Sequence, residues 1–294
     1  MQIKPKTTKK SSKKSPKKTL KKIISNVKKA VTNRGLDKYN IIKELGRGAF
    51  GKVVSATNKK TGEKVAIKIQ LNDGNEDLFN KEIKMLKKVS KYCKNLVCIK
   101  DSGKIENNMH YIVMDFASGV NLADYASTYK LNPDVVLVII NQLIEAVLML
   151  HNNGIAHSDI KPENIQIDPL TMKLQLLDLG LACDNIIKNC NGSGTPVFMP
   201  RTFSKTLSGR KSSDVWSIAA TLAFMCIDFS NRAAEDYLFK LLETKTVKLE
   251  NLKNVISDEY LDNPKISFIL KEFFKENEND RLQALKQYRH YLMY

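Results

Sequence analysis

The eight residues His157-Ser158-Asp159-Ile160-Lys161-Pro162-Glu163-Asn164 set a carboxylate, an ammonium and a carboxamide at a spacing suited to moving a phosphoryl group from ATP. A carboxylate there can take the proton of an attacking hydroxyl, the ammonium can offset phosphoryl charge, and the carboxamide can help to hold a metal ion. Upstream, Gly46-Arg47-Gly48-Ala49-Phe50-Gly51-Lys52-Val53 places glycines where a missing Cβ lets backbone approach a triphosphate. Alone, that glycine spacing fits an ordinary loop or a dinucleotide site equally well. It is followed by Val65-Ala66-Ile67-Lys68, and further on by Asp178-Leu179-Gly180 and Asp214-Val215-Trp216-Ser217.

In this order, the motifs resemble the protein kinase family, and the resemblance covers residues 38–294. It implies an α+β, two-lobed fold: a small antiparallel β-sheet lobe with one helix, and a larger, mainly helical lobe. The corresponding divisions are 1–37, a basic tail; 38–117, the small lobe and hinge; and 118–294, the large lobe. The resemblance implies Asp159 as general base, Lys161 beside the transferring phosphoryl group, and Asn164 and Asp178 as ligands of Mg²⁺, or of Mn²⁺ in its place. It implies that Lys68 holds the α and β phosphates and that Glu82 fixes Lys68 through an ion pair. Glu76 is the rival for that role, and Leu86, four residues after Glu82, favours Glu82. Leu45, Gly46, Gly48, Gly51, Val53 and Ala66 would enclose ATP. Met114 would guard the pocket behind the hinge, where the backbone of Asp115-Phe116-Ala117 meets adenine. Lys161 and Thr195, in Gly194-Thr195-Pro196, are of the type that acts on protein serine and threonine.

The elements that must carry these groups are readable from periodicity. Alternating and β-branched residues from Tyr39 to Gln70, broken at the glycine loop and at Lys60-Thr61-Gly62, predict three strands. A helix follows with Phe79, Ile83 and Leu86 on one face with Glu82, and two further strands end at Tyr111-Ile112-Val113-Met114. A long helix is predicted from Asn132 to Asn153, with Val135, Leu137, Ile140, Leu143, Val147 and Leu150 as its apolar run and Gly154 as its stop. Helices around Asp214 to Cys226 and Ile266 to Leu292 complete the large lobe.

Charge separates the chain into two parts. The net charge is +17, yet residues 1–34 hold twelve lysines, one arginine and no acidic residue, so the remainder is nearly balanced. The first nineteen residues read as a disordered tail. Beyond them Leu20, Ile23, Ile24, Val27 and Val31 face away from Lys21, Lys22, Lys28 and Lys29, as on a basic amphipathic helix. Nucleic acid, an anionic membrane or the nuclear-import machinery are the partners this charge suits, while protein substrates belong to the kinase part. With no run of eighteen apolar residues and no secretory signal, an intracellular location is expected, cytoplasmic or nuclear. The five cysteines, Cys93, Cys98, Cys183, Cys190 and Cys226, read as free and mostly buried thiols.

Three positions depart from the family pattern. Ser158 replaces the arginine that reads a phosphate on the activation segment, so activity is expected not to need that phosphate. Met199-Pro200-Arg201 stands where the family has Ala-Pro-Glu, so neither Arg201 nor Thr202 can form the usual ion pair with a late arginine, here Arg281. Gln166 stands where an apolar residue lies beneath adenine. Casein-kinase-like or vaccinia-related kinases share the missing arginine. The competing readings are a pseudokinase acting as a binding module and a small-molecule kinase of the aminoglycoside or choline type, the latter weakened by the intact glycine loop.

Overall fold

A computed structural model describes residues 35–47, 51–70, 76–105, 109–184 and 194–292. The lysine-rich tail, its amphipathic stretch and Gly48 lie outside the described residues. The first lobe is an antiparallel sheet of β1 (Tyr39–Arg47), β2 (Gly51–Asn58), β3 (Lys64–Gln70), β4 (Ile99–Lys104) and β5 (His110–Asp115), in the order β1-β2-β3-β5-β4. Side chains alternate across a strand, and here the alternation separates core from cleft. Val54, Val65, Ile67, Ile69, Tyr111 and Val113 form one small core with Leu36 and Tyr39. The intervening positions Val53, Ala66, Lys68 and Met114 come into register on the opposite face, with Val53 beside Lys68 and Ala66 beside Met114.

Helix α1 (Glu76–Val89) packs against that second face. Phe79, Met85, Leu86 and Val89 are buried, while Ile83 is only partly covered. Acidic residues in its first turn and lysines in its last complement the helix dipole. Beyond it, Cys93 and Cys98 are joined in a disulfide across a Cα separation of 5.7 Å. This corrects the expectation of free thiols, because the turn after α1 folds back within bonding reach. Cys183 is also disulfide-bonded. Cys226 is the free, buried thiol among the described residues.

The second lobe begins with an element absent from the sequence reading, α2 (Leu122–Thr128), whose seven residues are too few to display a helical period. Asn121 caps it by accepting from the Asp124 amide. Helix α3 (Pro133–Asn152) follows with Asn132 as its cap, Pro133 at its first position and Gly154 at φ 69° beyond its end. By length and composition alone α3 could cross a membrane, but Val136, Ile139, Ile140, Leu143, Val147 and Leu150 are all buried inside the lobe. Val135 and Leu137, expected in its apolar run, lie on its partly covered side.

Short strands β6 (Val120–Asn121), β7 (Ile155–Ala156), β8 (Ile165–Ile167), β9 (Leu174–Leu176) and β10 (Cys183–Asp184) frame the catalytic loop. Helix α4 (Leu207–Met225) starts seven residues before the expected Asp214, because its first two turns are polar and yet buried. There Ser212 donates to the Glu278 carbonyl, and Arg210 lies over the Phe203 ring at 4.6 Å. Helices α5 (Arg232–Thr244), α6 (Leu249–Leu252) and α7 (Asp258–Leu261) were not anticipated. The long helix expected over Ile266 to Leu292 is two, α8 (Pro264–Glu272) and α9 (Glu278–Tyr291), divided where Asn277 caps α9 by accepting from the Asn279 and Asp280 amides.

Candidate active site

Each candidate group is held by a different element, and the sheet supplies the first. Lys68 projects from β3 into the cleft, where its Nζ lies 2.7 Å from both carboxylate oxygens of Glu82 on α1 and 3.1 Å from Oδ1 of Asp178. Glu82 is therefore the partner. The rival, Glu76, instead meets Lys104 at 2.9 Å and His110 at 3.1 Å. Burial pushes the Lys68 ammonium down, but the charges of Glu82 and Asp178 outweigh it and hold its pKa above the ordinary lysine value. Burial likewise pushes Asp178 up, and Lys68 together with the Gly180 amide pulls it below the usual carboxylate range. Both groups are thus kept charged at neutral pH.

The catalytic loop is suspended from a buried carboxylate on α4. Asp214 accepts from the His157 and Ser158 amides, each at 2.8 Å, and from Nε2 of His151 at 2.9 Å. Charge-assisted bonds to backbone donors are among the stronger ones a loop can make. Ser158 adopts φ 69°, and its Oγ is buried with no hydrogen-bond partner among the described residues. His157 contacts the Leu177 carbonyl through Nε2 at 2.9 Å, tying the loop to the strand end that presents Asp178.

Asp159 is the most densely partnered group in the cleft. Its Oδ1 accepts from the amide and hydroxyl of Thr195 at 2.9 and 2.8 Å, and its Oδ2 accepts from Asn164 Nδ2 at 2.9 Å. Lys161 lies 3.2 Å from Asp159 and donates to the Thr195 hydroxyl at 2.7 Å. Asp159, Lys161 and Thr195 therefore form one knot that joins the catalytic loop to the Gly194-Thr195-Pro196 segment.

The remaining candidates line the space between the lobes. Leu45 is exposed, Val53 and Met114 are half-buried, and Ala66 is buried. A Cβ on Gly46 would meet nothing within 4 Å, which leaves that strand end open to a ligand. Gly51 serves another purpose: a Cβ there would come within 2.7 Å of the Ile69 carbonyl, so it permits β2 to pair with β3. Asp115 ends β5 with its carboxylate 2.8 Å from Lys100. Ala117 is half-buried. Gln166 is half-buried in β8.

This donor set suits a hard divalent cation. Asn164 spends its Nδ2 on Asp159 and keeps Oδ1 as an oxygen donor, and Asp178 offers a carboxylate kept ionised. One or two such oxygens completed by phosphates and water are what Mg²⁺ ordinarily accepts. Sequence reasoning overlooked His151 and the loop-anchoring work of the Asp214 carboxylate. The available signal was a carboxylate at the point where the helix passes from its polar opening turns into its apolar run.

The expected brace at the Met199-Pro200-Arg201 departure takes a different form. Arg201 donates to the Thr244 carbonyl at 2.7 Å, and Lys245 donates to the Pro196 and Val197 carbonyls at 2.6 and 3.1 Å. Ser217 adds a bond to the Phe198 carbonyl at 2.7 Å.

The chain matches the family model described as "Protein kinase domain" over residues 39–293. It is 33% identical over 220 residues to the probable serine/threonine-protein kinase fhkC of Dictyostelium discoideum, a stretch covering 69% of this chain and 36% of that protein. It is 31% identical over 196 residues to CBL-interacting serine/threonine-protein kinase 15 of Arabidopsis thaliana, covering 63% and 46%. Similarity to the maternal embryonic leucine zipper kinase of Danio rerio is 32% over 210 residues, covering 66% and 30%. The chain thus spans less than half the length of these relatives, and their names lend no support to a casein-kinase-like or vaccinia-related affinity. With the family model spanning both lobes and the ion pairs of the cleft in register, the chain belongs to the protein kinase family.

Proposed function

We propose that the chain is an active serine/threonine protein kinase that moves the γ-phosphoryl group of ATP to protein hydroxyls. The observation that carries this reading is the knot of Asp159, Lys161 and Thr195. Asp159 takes the proton from a seryl or threonyl hydroxyl as its oxygen forms a bond to the γ phosphorus. The bond from that phosphorus to the β–γ bridging oxygen breaks, and ADP leaves with the electron pair. Lys161 offsets charge on the moving group, Lys68 positions the phosphates, and Glu82 keeps Lys68 extended into the cleft. Asn164 and Asp178 would hold Mg²⁺, or Mn²⁺ in its place, which would supply charge neutralisation at the phosphates. Incubation with radiolabelled ATP and a mixed protein substrate, followed by phosphoamino-acid analysis, tests this. Label on serine or threonine is expected, whereas label on tyrosine alone, or none, would contradict it.

Transfer is further proposed to proceed without a phosphate on the activation segment. Ser158 brings a short hydroxyl, not a guanidinium, to the position from which such a phosphate would be read. Activity should survive exhaustive phosphatase treatment, and its abolition would sink the idea. The lysine-rich residues 1–34 are proposed to bind an anionic polymer or surface, such as nucleic acid, acidic lipid or the import machinery of the nucleus, in a protein working inside the cell. Deleting them should weaken binding to DNA or acidic vesicles and should leave phosphoryl transfer intact.

A further inference from the structure

Below the catalytic loop, a cavity of about 70 Å³ is walled by Arg201, Thr202, Trp216, Lys245, Glu276 and Arg281. Arg281 is fully buried on α9. Its Nε donates to the Ser212 carbonyl and hydroxyl, and its Nη1 to the Lys275 and Glu276 carbonyls. Its Nη2 is buried with no hydrogen-bond partner among the described residues, and the same is true of Nε1 of Trp216. Two orphaned N–H donors therefore belong to side chains of one small cavity, and a buried donor without an acceptor is costly.

The charge around the cavity is one-sided. Arg201, Lys245 and Arg281 are cations, and no carboxylate lies within ion-pair distance of any of them among the described residues. Glu276 is the acidic member of the wall, and its side chain is exposed. Burial depresses both the Lys245 ammonium, to about 8, and the Arg281 guanidinium, to about 10, outweighing the pull of Glu243 on the first and of Glu278 on the second, neither of which is in ion-pair contact. A single water needs roughly 10–15 Å³, so the cavity has room for more than one water or for one tetrahedral anion. Water would satisfy a donor but not the charge.

We propose that this cavity binds a compact tetrahedral oxyanion of the phosphate class, which accepts from Arg281 and Trp216 and neutralises Lys245 and Arg201. Bound there, the anion ties the Pro196–Arg201 stretch, which Lys245 and Arg201 already hold through carbonyls, to helix α9. It takes over the bracing that a carboxylate after Pro200 would supply, and Thr195 at the head of that stretch touches Asp159. The anion can be free phosphate or a phosphorylated side chain, since both present the same three acceptor oxygens.

The test is thermal unfolding of the full chain without nucleotide, at constant ionic strength in a chloride buffer, titrated with inorganic phosphate, sulfate, acetate or a phosphoserine peptide. Ligand bound only by the native state raises the midpoint in a saturable way. Inorganic phosphate and sulfate should do so, and acetate should not. The lysine tail is a competing phosphate binder, so Lys245→Met and Trp216→Phe, which keep the tail, decide the location. Each should weaken the apparent affinity by about tenfold or more, the worth of one charge-assisted or buried hydrogen bond. Tighter binding of the phosphoserine peptide than of phosphate would assign the anion to a side chain, and the reverse would assign it to the free ion. An equal phosphate response in wild type and both variants, or a response to acetate that matches phosphate, would overturn the proposal. Because the readout is unfolding without ATP, its failure leaves the kinase reading untouched.

Discussion

Two buried cations, Lys68 and Arg281, are accommodated in opposite ways. Lys68 sits between two carboxylates, and every charged group near it has a partner of the other sign: Glu82, Asp178, and further on Asp159 with Lys161. Arg281 is more deeply buried, yet it is held by carbonyls and one hydroxyl, with a donor left over and two further cations near by. In the cleft Lys68 and Asp178 are held ionised and fixed in place, which phosphoryl transfer demands, while burial raises the Glu82 carboxyl against the pull of Lys68. In the large lobe the fold tolerates a buried cation with no carboxylate in ion-pair contact among the described residues, Glu278 acting on it only from farther away. Desolvation acts on both; two carboxylates in direct contact make the Lys68 pKa rise, while Glu278, out of contact, leaves that of Arg281 lowered.

The sharpest way to break that contrast is to remove each cation. Lys68→Met should lower kcat by ~10²- to 10³-fold, the scale of losing one fixed electrostatic donor, and should destabilise the fold by about 3–5 kcal/mol by stranding Glu82. Arg281→Met strands no carboxylate, so it should cost less stability in urea titrations. A larger loss for Arg281→Met would show that its carbonyl bonds are worth more than the ion pair. Next in size is Asp214→Ala, which leaves two loop amides and His151 without their acceptor and should cost about 2–5 kcal/mol, with near-complete loss of transfer.

A smaller effect separates the two regions by pH. The Lys245 pKa is lowered in the folded state to about 8, so between pH 8 and its ordinary 10.5 the unfolded chain binds more protons and stability rises with pH. Lys68, raised above 10.5, works in the other sense: its contribution is complete below 10.5 and is lost as pH rises through the folded value. Unfolding in chloride buffer from pH 7.5 to 10.5 should therefore show wild type gaining on Lys245→Met, and parallel curves would contradict the burial argument. The smallest expected difference concerns the two glutamates of α1. Glu76→Gln should leave transfer at the wild-type rate, while Glu82→Gln should depress it.

The cleft was legible in sequence because its chemistry is concentrated in short, ordered runs. Lys68, Asp159, Asn164, Asp178 and Thr195 were each named from a motif, and Glu82 was chosen over Glu76 from the position of Leu86, a choice the 2.7 Å pair supports. The strands were readable because period-2 alternation separates the Val54–Ile67 core from the Ala66–Lys68 cleft face. What periodicity missed had no period to display. The helix α2 is two turns long, α4 opens with buried polar turns, and α8 and α9 read as one helix because only the Asn277 cap divides them. The Cys93–Cys98 disulfide was missed because its spacing matches no motif and depends on the turn after α1. Lys245 was missed altogether, since it is an isolated residue in the left-handed conformation at a helix end, and only the fold brings it to Pro196 and Val197.

The central claim is that Asp159 serves as the general base of an active kinase, and single-turnover transfer by wild type and Asp159→Asn with saturating ATP measures it most directly. Thr195 can still donate to the amide oxygen, and Asn164 keeps its bond to the main-chain carbonyl of residue 159, so the fold and nucleotide affinity should be retained. The account predicts transfer slower by ~10²- to 10⁴-fold, the usual cost of losing a general base. Transfer by Asp159→Asn at the wild-type rate would contradict it.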